Sequence, residues 1–261
     1  MKFPRNAWIL LALFLAACGP KTPADKPLVV GMDLSYPPFE TIDSAGRPSG
    51  ISVEMADALG KFLGRPVRIE NTPFIGLIPA LQSHRIDVII SSMTDTPGRR
   101  ESIAFSDPYF HIGLALLVAK NSTLQSAADL DQPGRTLAVR GGTTGESWAR
   151  ANLKQARILV LEKESGAVLE VLSGRADAFL YDQVAVFQNW KRQPEKTRAI
   201  LDPVRREDLA IGIRKDDTAL RGQINAFLKK FREEGGFEKL GDKYLTEQKA
   251  EFKKLGVPFY F

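Results

Sequence analysis

The sequence predicts an α/β protein, because short apolar runs alternate with amphipathic stretches from Leu28 onward. Short apolar runs bounded by turn residues are typical of buried strands, and apolar residues at every third or fourth position indicate helices packed on a sheet. The alternation occurs in two successive units along the chain. We therefore expect two mainly parallel sheets, each flanked by helices.

The first unit begins with a strand at residues 28–32, which the Pro37–Pro38 pair separates from the next element. A helix follows Gly50, since apolar residues recur there at helical spacing. Residues 66–69 and 86–90 are predicted strands, with a short helix beginning at Pro79 between them. Thr96 and Pro97 have the character of an N-cap and a first helical residue, so another helix is expected there.

The second unit repeats this order of elements. Its predicted strands are residues 136–139, 158–161 and 176–181. Its predicted helices are residues 146–153 and 167–172, and a late amphipathic helix covers residues 220–231. Apolar segments at 113–118 and 209–213 lie where the units join, and each is predicted to be a strand crossing between them. Periodicity does not show which strands they pair with.

The N-terminus predicts export. Lys2 and Arg5 precede an apolar run, residues 7–15, that is too short to span a bilayer and is typical of a signal peptide. The run ends in Leu-Ala-Ala-Cys, which resembles the bacterial lipobox, so residues 1–17 are the expected signal peptide and Cys18 the lipidated (palmitate-carrying) first residue. Residues 18–27 are polar and proline-rich, which suits a tether. An ordinary signal sequence with a chance cysteine is the alternative.

Composition and charge exclude several classes of function. The formal net charge is +5, of which Lys2 and Arg5 contribute two, and the remaining basic residues are interspersed with acidic ones. A mixed surface of this kind argues against nucleic-acid binding. Cys18 is the only cysteine, so no disulfide and no cysteine–histidine metal site is expected, and neither is a cofactor. The glycine-rich stretch at 141–145 lacks the Gly-Lys-Ser/Thr of a nucleotide-binding loop.

Four segments together carry a family resemblance. They are residues 31–40 (GMDLSYPPFE), residues 77–109 with SSMTDTPGRR and FSDPY, residues 142–146 (GTTGE), and residues 174–182 (GRADAFLYD). In order and spacing, the chain from Leu28 to Phe261 resembles the amino-acid-binding proteins of bacterial ABC importers, extracellular solute-binding protein family 3. The resemblance implies a two-lobed type II periplasmic fold with a ligand cleft. We expect lobe 1 to comprise residues 28–112 plus 208–261, and lobe 2 residues 113–207.

The resemblance also implies a ligand site. Arg99 would bind the α-carboxylate of an amino acid through its planar fork, helped by the Thr144 backbone N–H at the start of a helix. Asp182, at the end of a predicted strand, would bind the α-ammonium group. The full set of expected ligand-binding residues is Asp33, Tyr36, Phe74, Ser91, Ser92, Thr94, Arg99, Thr143, Thr144 and Asp182. Hydroxyl or backbone contacts are expected from Ser92 and Thr94, and aromatic walls from Tyr36 and Phe74.

Each anchor also has an ordinary structural interpretation. An arginine three residues after an N-cap threonine is usually a surface residue, and Asp182 is equally suited to cap a helix that begins near Gln183. The sequence does not decide which side chain the ligand carries. Asp33 favours a cationic or amide group, whereas Arg140, just before the Gly-Thr-Thr loop, favours an acidic one.

The expected function is capture of a polar L-amino acid by cleft closure and delivery to the permease of an ABC importer. The expected protein is a monomer that contacts the membrane only through its lipid. Gly19 after the cysteine resembles the signal that sends lipoproteins of Gram-negative cells to the outer membrane. The alternative is an enzyme on the same scaffold, because the periplasmic cyclohexadienyl dehydratases resemble these proteins. Such an enzyme needs a general acid, for which Glu40 and Asp33 are candidates; no catalytic residue is otherwise expected.

Overall fold

The computed structural model describes residues 26–256, so the predicted leader, Cys18 and most of the tether lie outside the described residues. The strands are β1 (Leu28–Met32), β2 (Thr41–Ile42), β3 (Pro48–Ser49), β4 (Val67–Asn71), β5 (Val88–Ile89), β6 (Ala104–Phe105), β7 (Phe110–Ala119), β8 (Thr136–Arg140), β9 (Arg157–Leu161), β10 (Ala178–Asp182), β11 (Thr197–Leu209) and β12 (Gly212–Ile213). The α-helices are α1 (Ile51–Leu63), α2 (Leu77–Gln82), α3 (Pro97–Arg100), α4 (Thr144–Asn152), α5 (Glu164–Leu172), α6 (Gln183–Arg192), α7 (Thr218–Glu233), α8 (Gly236–Tyr244) and α9 (Thr246–Lys254). Short 3-10 helices cover Phe74–Gly76 and Ala127–Leu130. No helix within residues 26–256 is long and apolar enough to cross a membrane.

The strands form two five-stranded sheets and a small hairpin. The first sheet has the order β4-β1-β5-β12-β6, the second has the order β11-β7-β10-β8-β9, and β2 pairs with β3. The prediction of mainly parallel α/β sheets is confirmed, since four of the five strands of each sheet run in the same direction and one runs against them. In the first sheet β12 is antiparallel to both of its neighbours, and in the second sheet β7 is antiparallel to β10 and β11. The antiparallel strands are those next to the points where the chain passes between the sheets.

Both sheets are buried on both faces, as an α/β architecture requires. Successive side chains of a strand point to opposite faces, and along β7 Ala115 and Leu117 join one apolar cluster while Leu116 and Val118 join another. In β1, Val30 belongs to the cluster that contains α1 and α7 residues, whereas Val29 packs with residues of α2. The helices therefore cover each sheet on both sides and leave the strand ends free to form a site.

The chain passes between the sheets twice. It leaves the first sheet after β6 and enters β7, and it returns from β11 to β12 through Ala210 and Ile211. The two passages are bonded to each other, since Ser106 N–H donates to Ile211 O and Ile211 N–H donates to Ser106 Oγ, both at 3.0 Å. Residues 113–118 thus lie within one sheet, and the segment 209–213 is divided between both. The lobe boundaries stay predictions.

Gly50 fixes the start of α1 through a close backbone approach. Ile51 N–H donates to Pro38 O at 3.1 Å and Ser52 N–H to Phe39 O at 2.8 Å, so two carbonyl groups satisfy the first turn of the helix in place of a side-chain cap. Gly50 has φ 118°, and a Cβ atom there would lie 2.4 Å from Phe39 O. Only glycine fits this position.

We expect Gly50→Ala to lower the free energy of unfolding by about 3 kcal/mol, because backbone strain of about 1–3 kcal/mol adds to a clash of similar cost. Gly46→Ala is the matched control: Gly46 also has positive φ, 77°, but a Cβ atom there meets nothing within 4 Å. It should lose only about 1 kcal/mol. Urea unfolding of both variants checks this, and equal losses would contradict the close-approach argument.

Candidate functional site

A cavity lies between the two sheets, at the carboxyl ends of their parallel strands. Asp33 directly follows β1, Ser91 follows β5, and Arg140 and Asp182 are the last residues of β8 and β10. Ligands of open α/β sheets bind at this edge of the strands. The space between its walls, counted out to the open mouth, is about 530 Å³.

All ten residues expected from the sequence line this one cavity. They are Asp33, Tyr36, Phe74, Ser91, Ser92, Thr94, Arg99, Thr143, Thr144 and Asp182. The structure adds seven more lining residues: Glu40, Ile112, Leu114, Arg140, Tyr181, Glu207 and Leu209. Two of these seven could have been found from the sequence, because Glu40 ends the first matching segment and Arg140 lies just before the third. Glu207 carried none, because it lies in a charged stretch with no strand pattern.

Arg99 reaches the cavity from the short helix α3. Thr96 caps this helix by accepting from Arg99 N–H at 3.2 Å, which confirms the predicted N-cap. The Arg99 guanidinium donates to Thr94 O at 2.7 Å and, across the cleft, to Gly142 O at 3.1 Å. Burial lowers the pKa of Arg99 to about 10, so it stays protonated at neutral pH. Its remaining N–H groups are suited to a carboxylate.

Helix α4 presents its N-terminus to the same region. Thr143 caps it: its hydroxyl donates to Arg140 O at 2.7 Å and accepts from Glu146 N–H at 3.5 Å. The backbone N–H groups of the first helical turn, including that of Thr144, have no acceptor within the helix and favour an anion.

Glu207 holds the two threonine hydroxyls that line the cavity from opposite sides. Thr94 Oγ1 donates to Glu207 Oε2 at 3.0 Å and Thr144 Oγ1 to the same oxygen at 2.8 Å, while the other oxygen pairs with Arg205. A hydroxyl has one proton to donate. The proton of the Thr94 hydroxyl is thus already donated to Glu207, and the ligand contact expected from the Thr94 hydroxyl or backbone stays a prediction.

Asp182 has the capping role that the sequence left open. Its Oδ1 accepts from Val184 N–H at 2.9 Å and Ala185 N–H at 3.0 Å, so it caps α6. The Tyr36 side chain, from the other side of the cleft, also interacts with this carboxylate and limits the rise of its pKa. A carboxylate accepts about four hydrogen bonds, so Asp182 keeps capacity for a further donor. Burial raises its pKa to about 7.

Asp33 and Arg140 form a buried ion pair across the cleft. Arg140 Nη2 donates to Asp33 Oδ2, and the side chains are 5% and 11% exposed. Burial opposes the charge of Arg140, but Tyr181 and Asp33 raise its pKa above the ordinary arginine value. The Phe74 ring lies between two guanidinium groups, 5.4 Å from that of Arg99 and 5.7 Å from that of Arg140.

Glu40 lies at the base of the cavity among three serines. Its carboxyl oxygens are hydrogen-bonded to the hydroxyls of Ser52 at 2.5 Å, Ser92 at 3.2 Å and Ser91 at 3.5 Å. Burial raises the pKa of Glu40 to about 8, because no cation is bonded to it. Glu40 is therefore mostly protonated at neutral pH.

Two sheets with a polar cavity between them are the architecture of a type II periplasmic binding protein. The chain belongs to the bacterial extracellular solute-binding proteins, family 3, whose sequence pattern matches residues 28–247. It is 30% identical to the L-arginine-binding protein of Pseudomonas aeruginosa over 87% of this chain and 91% of that protein. It is 32% identical to the histidine-binding periplasmic protein of Escherichia coli K12 over 82% of this chain and 86% of that protein.

A solved structure agrees with this assignment. The ancestral amino acid-binding protein AncCDT-1, described as a precursor of cyclohexadienyl dehydratase, is 37% identical and superposes with a TM-score of 0.77. The alignment covers 84% of this chain and 95% of that structure. The similar proteins are thus amino-acid-binding proteins.

We expect Glu40→Gln to make the free energy of unfolding less dependent on pH, because the variant lacks the proton that folding holds on Glu40. Folding keeps a proton on Glu40 between its unfolded pKa of 4.5 and its folded value of about 8, so wild-type stability falls as pH rises through this window. The slope attributable to Glu40 is about 1.4 kcal/mol per pH unit in the middle of the window. Urea unfolding from pH 5 to 8 measures it, with Glu238→Gln on the exposed face of α8 as control. Identical slopes for wild type and Glu40→Gln would contradict a protonated Glu40.

Proposed function

We propose that this protein captures an amino acid in the cavity and delivers it to the permease of an ABC importer. One observation carries the proposal: a guanidinium, Arg99, and a carboxylate, Asp182, line the same cavity from opposite sides. An α-amino acid is a zwitterion, and a site for it needs a cation and an anion in one enclosed space. The relatives named for arginine and histidine binding support the same ligand class.

The roles of the two anchors follow from their unused bonding capacity. The Arg99 guanidinium has N–H groups that are not used in its bonds to Thr94 O and Gly142 O. These groups lie beside the first turn of α4, where the helix dipole favours an α-carboxylate. Asp182 accepts from two backbone N–H groups of α6 and retains room for an α-ammonium group. A bound amino acid would thus complete both sets of hydrogen bonds.

Closure of the cleft is part of the proposal. Asp33 is bonded to Arg140, and Arg99 to Gly142, across the cleft, so these contacts exist only when its two sides are together. A ligand that bridges Arg99 and Asp182 binds better to this closed state than to an open one. Ligand binding therefore shifts the population toward closure about the two passages between the sheets.

We further propose that the protein is an exported lipoprotein. The support is in the sequence: a short apolar leader, Cys18 as the only cysteine in a lipobox, and a proline-rich tether before β1. Gly19 favours the outer membrane if the host is Gram-negative. The protein would act as a monomer, attached to the membrane by its acyl chains alone.

Binding without catalysis is the better-supported activity. The relatives are binding proteins, and AncCDT-1 is itself described as amino acid-binding. Of the two general-acid candidates, Asp33 is an ion-paired carboxylate, and Glu40 is bonded to three serines at the base of the cavity. Incubation with prephenate or arogenate, followed by assay for product, tests the dehydratase alternative.

The function is tested by a thermal-shift screen of the wild type against the common amino acids, since a ligand that binds only the native state raises the melting temperature. For the best ligand, we expect Arg99→Lys and Asp182→Asn each to weaken binding. Loss of a buried charged contact costs on the order of 2–5 kcal/mol, or about 30- to 5,000-fold in Kd, and the lysine variant should fall toward the lower end.

Two substitutions serve as matched controls in the calorimetric titrations. Arg100→Lys changes the neighbouring arginine, which is exposed and paired with Asp95. Asp217→Asn changes another aspartate N-cap, at the start of α7. Asparagine is as good an N-cap as aspartate, so Asp182→Asn should stay folded. Wild-type affinity in both site variants would show that the assigned anchors are wrong.

For the lipid attachment, we expect Cys18→Ser to leave the domain folded but to move it from the membrane fraction to the soluble fraction. The reason is that the proposed acyl chains are attached at Cys18 alone. Fractionation of cells expressing each form measures this, and Thr22→Ser in the tether is the control. Equal membrane association of Cys18→Ser and wild type would refute lipidation at this residue.

A further inference from the structure

The bonding of Arg140 is nearly complete before any ligand binds. Its Nε donates to Glu162 O at 3.2 Å, its Nη1 donates to the Tyr181 hydroxyl at 3.2 Å, and its Nη2 donates to Asp33 and to Ser35 Oγ. These contacts hold the guanidinium rigidly in the wall of the cavity, with one N–H of Nη1 left over.

Asp33 is equally engaged. Its Oδ2 accepts from Phe74 N–H at 2.9 Å as well as from Arg140, and its Oδ1 accepts from Ser35 Oγ at 2.6 Å. Asp33 alone would attract a cationic side chain, but here its charge is already neutralised by a guanidinium that is itself buried.

The other carboxyl groups of the cavity offer no replacement. Asp182 is assigned to the α-ammonium group of the ligand. Glu207 is occupied by Thr94, Thr144 and Arg205, and Glu40 is bonded to serine hydroxyls. A lysine or arginine ligand would therefore place a second cation beside Arg140 without an unpaired carboxylate to receive it. Like charges in a buried site repel strongly.

The pair also forms one wall of the cavity. A second, outer cavity with about 1,110 Å³ of empty space lies beyond it, lined by residues such as Asn71, Ile75 and Lys163. Asp33, Phe74 and Arg140 line both cavities and so form the wall between them. A ligand side chain directed at the pair therefore ends at this wall and does not enter the outer cavity.

We propose that Arg140 determines specificity, and that the ligand is an amino acid with a polar side chain that is neutral or anionic, to the exclusion of lysine and arginine. The proposal rests on the proposed amino-acid binding. It separates this chain from its Pseudomonas aeruginosa relative, which is named for arginine. The free N–H of Arg140 provides a donor for an amide, hydroxyl or carboxylate oxygen of such a side chain.

The test compares Kd values for arginine and lysine with Kd for the best neutral or acidic amino acid, by calorimetry. We expect the wild type to disfavour both cations by at least about tenfold. Arg140→Met, which leaves Asp33 unpaired, should reduce this preference by at least about tenfold, and Arg140→Lys should keep it because the positive charge remains. Arg175→Met, which removes an exposed arginine paired with Glu170, is the control and should match wild type.

Should Arg140→Met fail to fold, the double variant Asp33→Asn/Arg140→Met removes both charges and leaves no unpaired carboxylate. Its preference against cations should also be smaller than that of the wild type, since the repulsion is gone. An unchanged preference in the folded variant overturns the role of Arg140. Tightest wild-type binding of arginine or lysine overturns the ligand class while leaving amino-acid binding intact. If no amino acid binds the wild type, the proposed function itself fails.

Discussion

The site depends on one geometric constraint: the parallel strands of both sheets end at the same cavity. Asp33, Ser91, Arg140 and Asp182 each stand at such an end or within two residues of it. At these positions the backbone turns from strand into loop or helix, so side chains and helix N-termini from two sheets converge on one small volume. No single element holds the site. Each side of the cleft supplies half of every cross-cleft contact, and the cavity is complete only when the sides meet.

This constraint explains why the lining was predictable from sequence. Residues that follow an apolar run can be placed at a strand end without knowledge of the pairing, and the matching segments lie at such positions. All ten expected residues line the cavity. That set was implied by the family resemblance, and the apolar pattern by itself placed only Asp182 at a strand end. Which charged side chains of the cavity pair with each other was not predictable in the same way. The sequence placed Asp33 and Arg140 near the cleft with opposite implications for the ligand, and only the structure shows that they neutralise each other.

The features missed by pattern reasoning share a physical cause. Strand β11 contains four arginine or acidic residues between Arg205 and Asp208 and a proline at 203, and it lies at the edge of its sheet, where one side is open to solvent. An edge strand needs no alternating apolar pattern, so its sequence resembles a loop. Glu207 was hidden by the same property. The opposite direction of β7 and β12 was missed for a separate reason, since periodicity identifies strands and not their direction.

The order of strands has a consequence for how the chain reaches its native state. The second sheet uses only residues between Phe110 and Leu209, a contiguous stretch, whereas the first sheet needs β12 between β5 and β6. Pairing β12 with β5 closes a loop that contains the whole second sheet. The entropy lost on closing that loop is smaller when the intervening segment is already compact. Topology therefore favours folding in which the second sheet forms early and the first sheet is completed last.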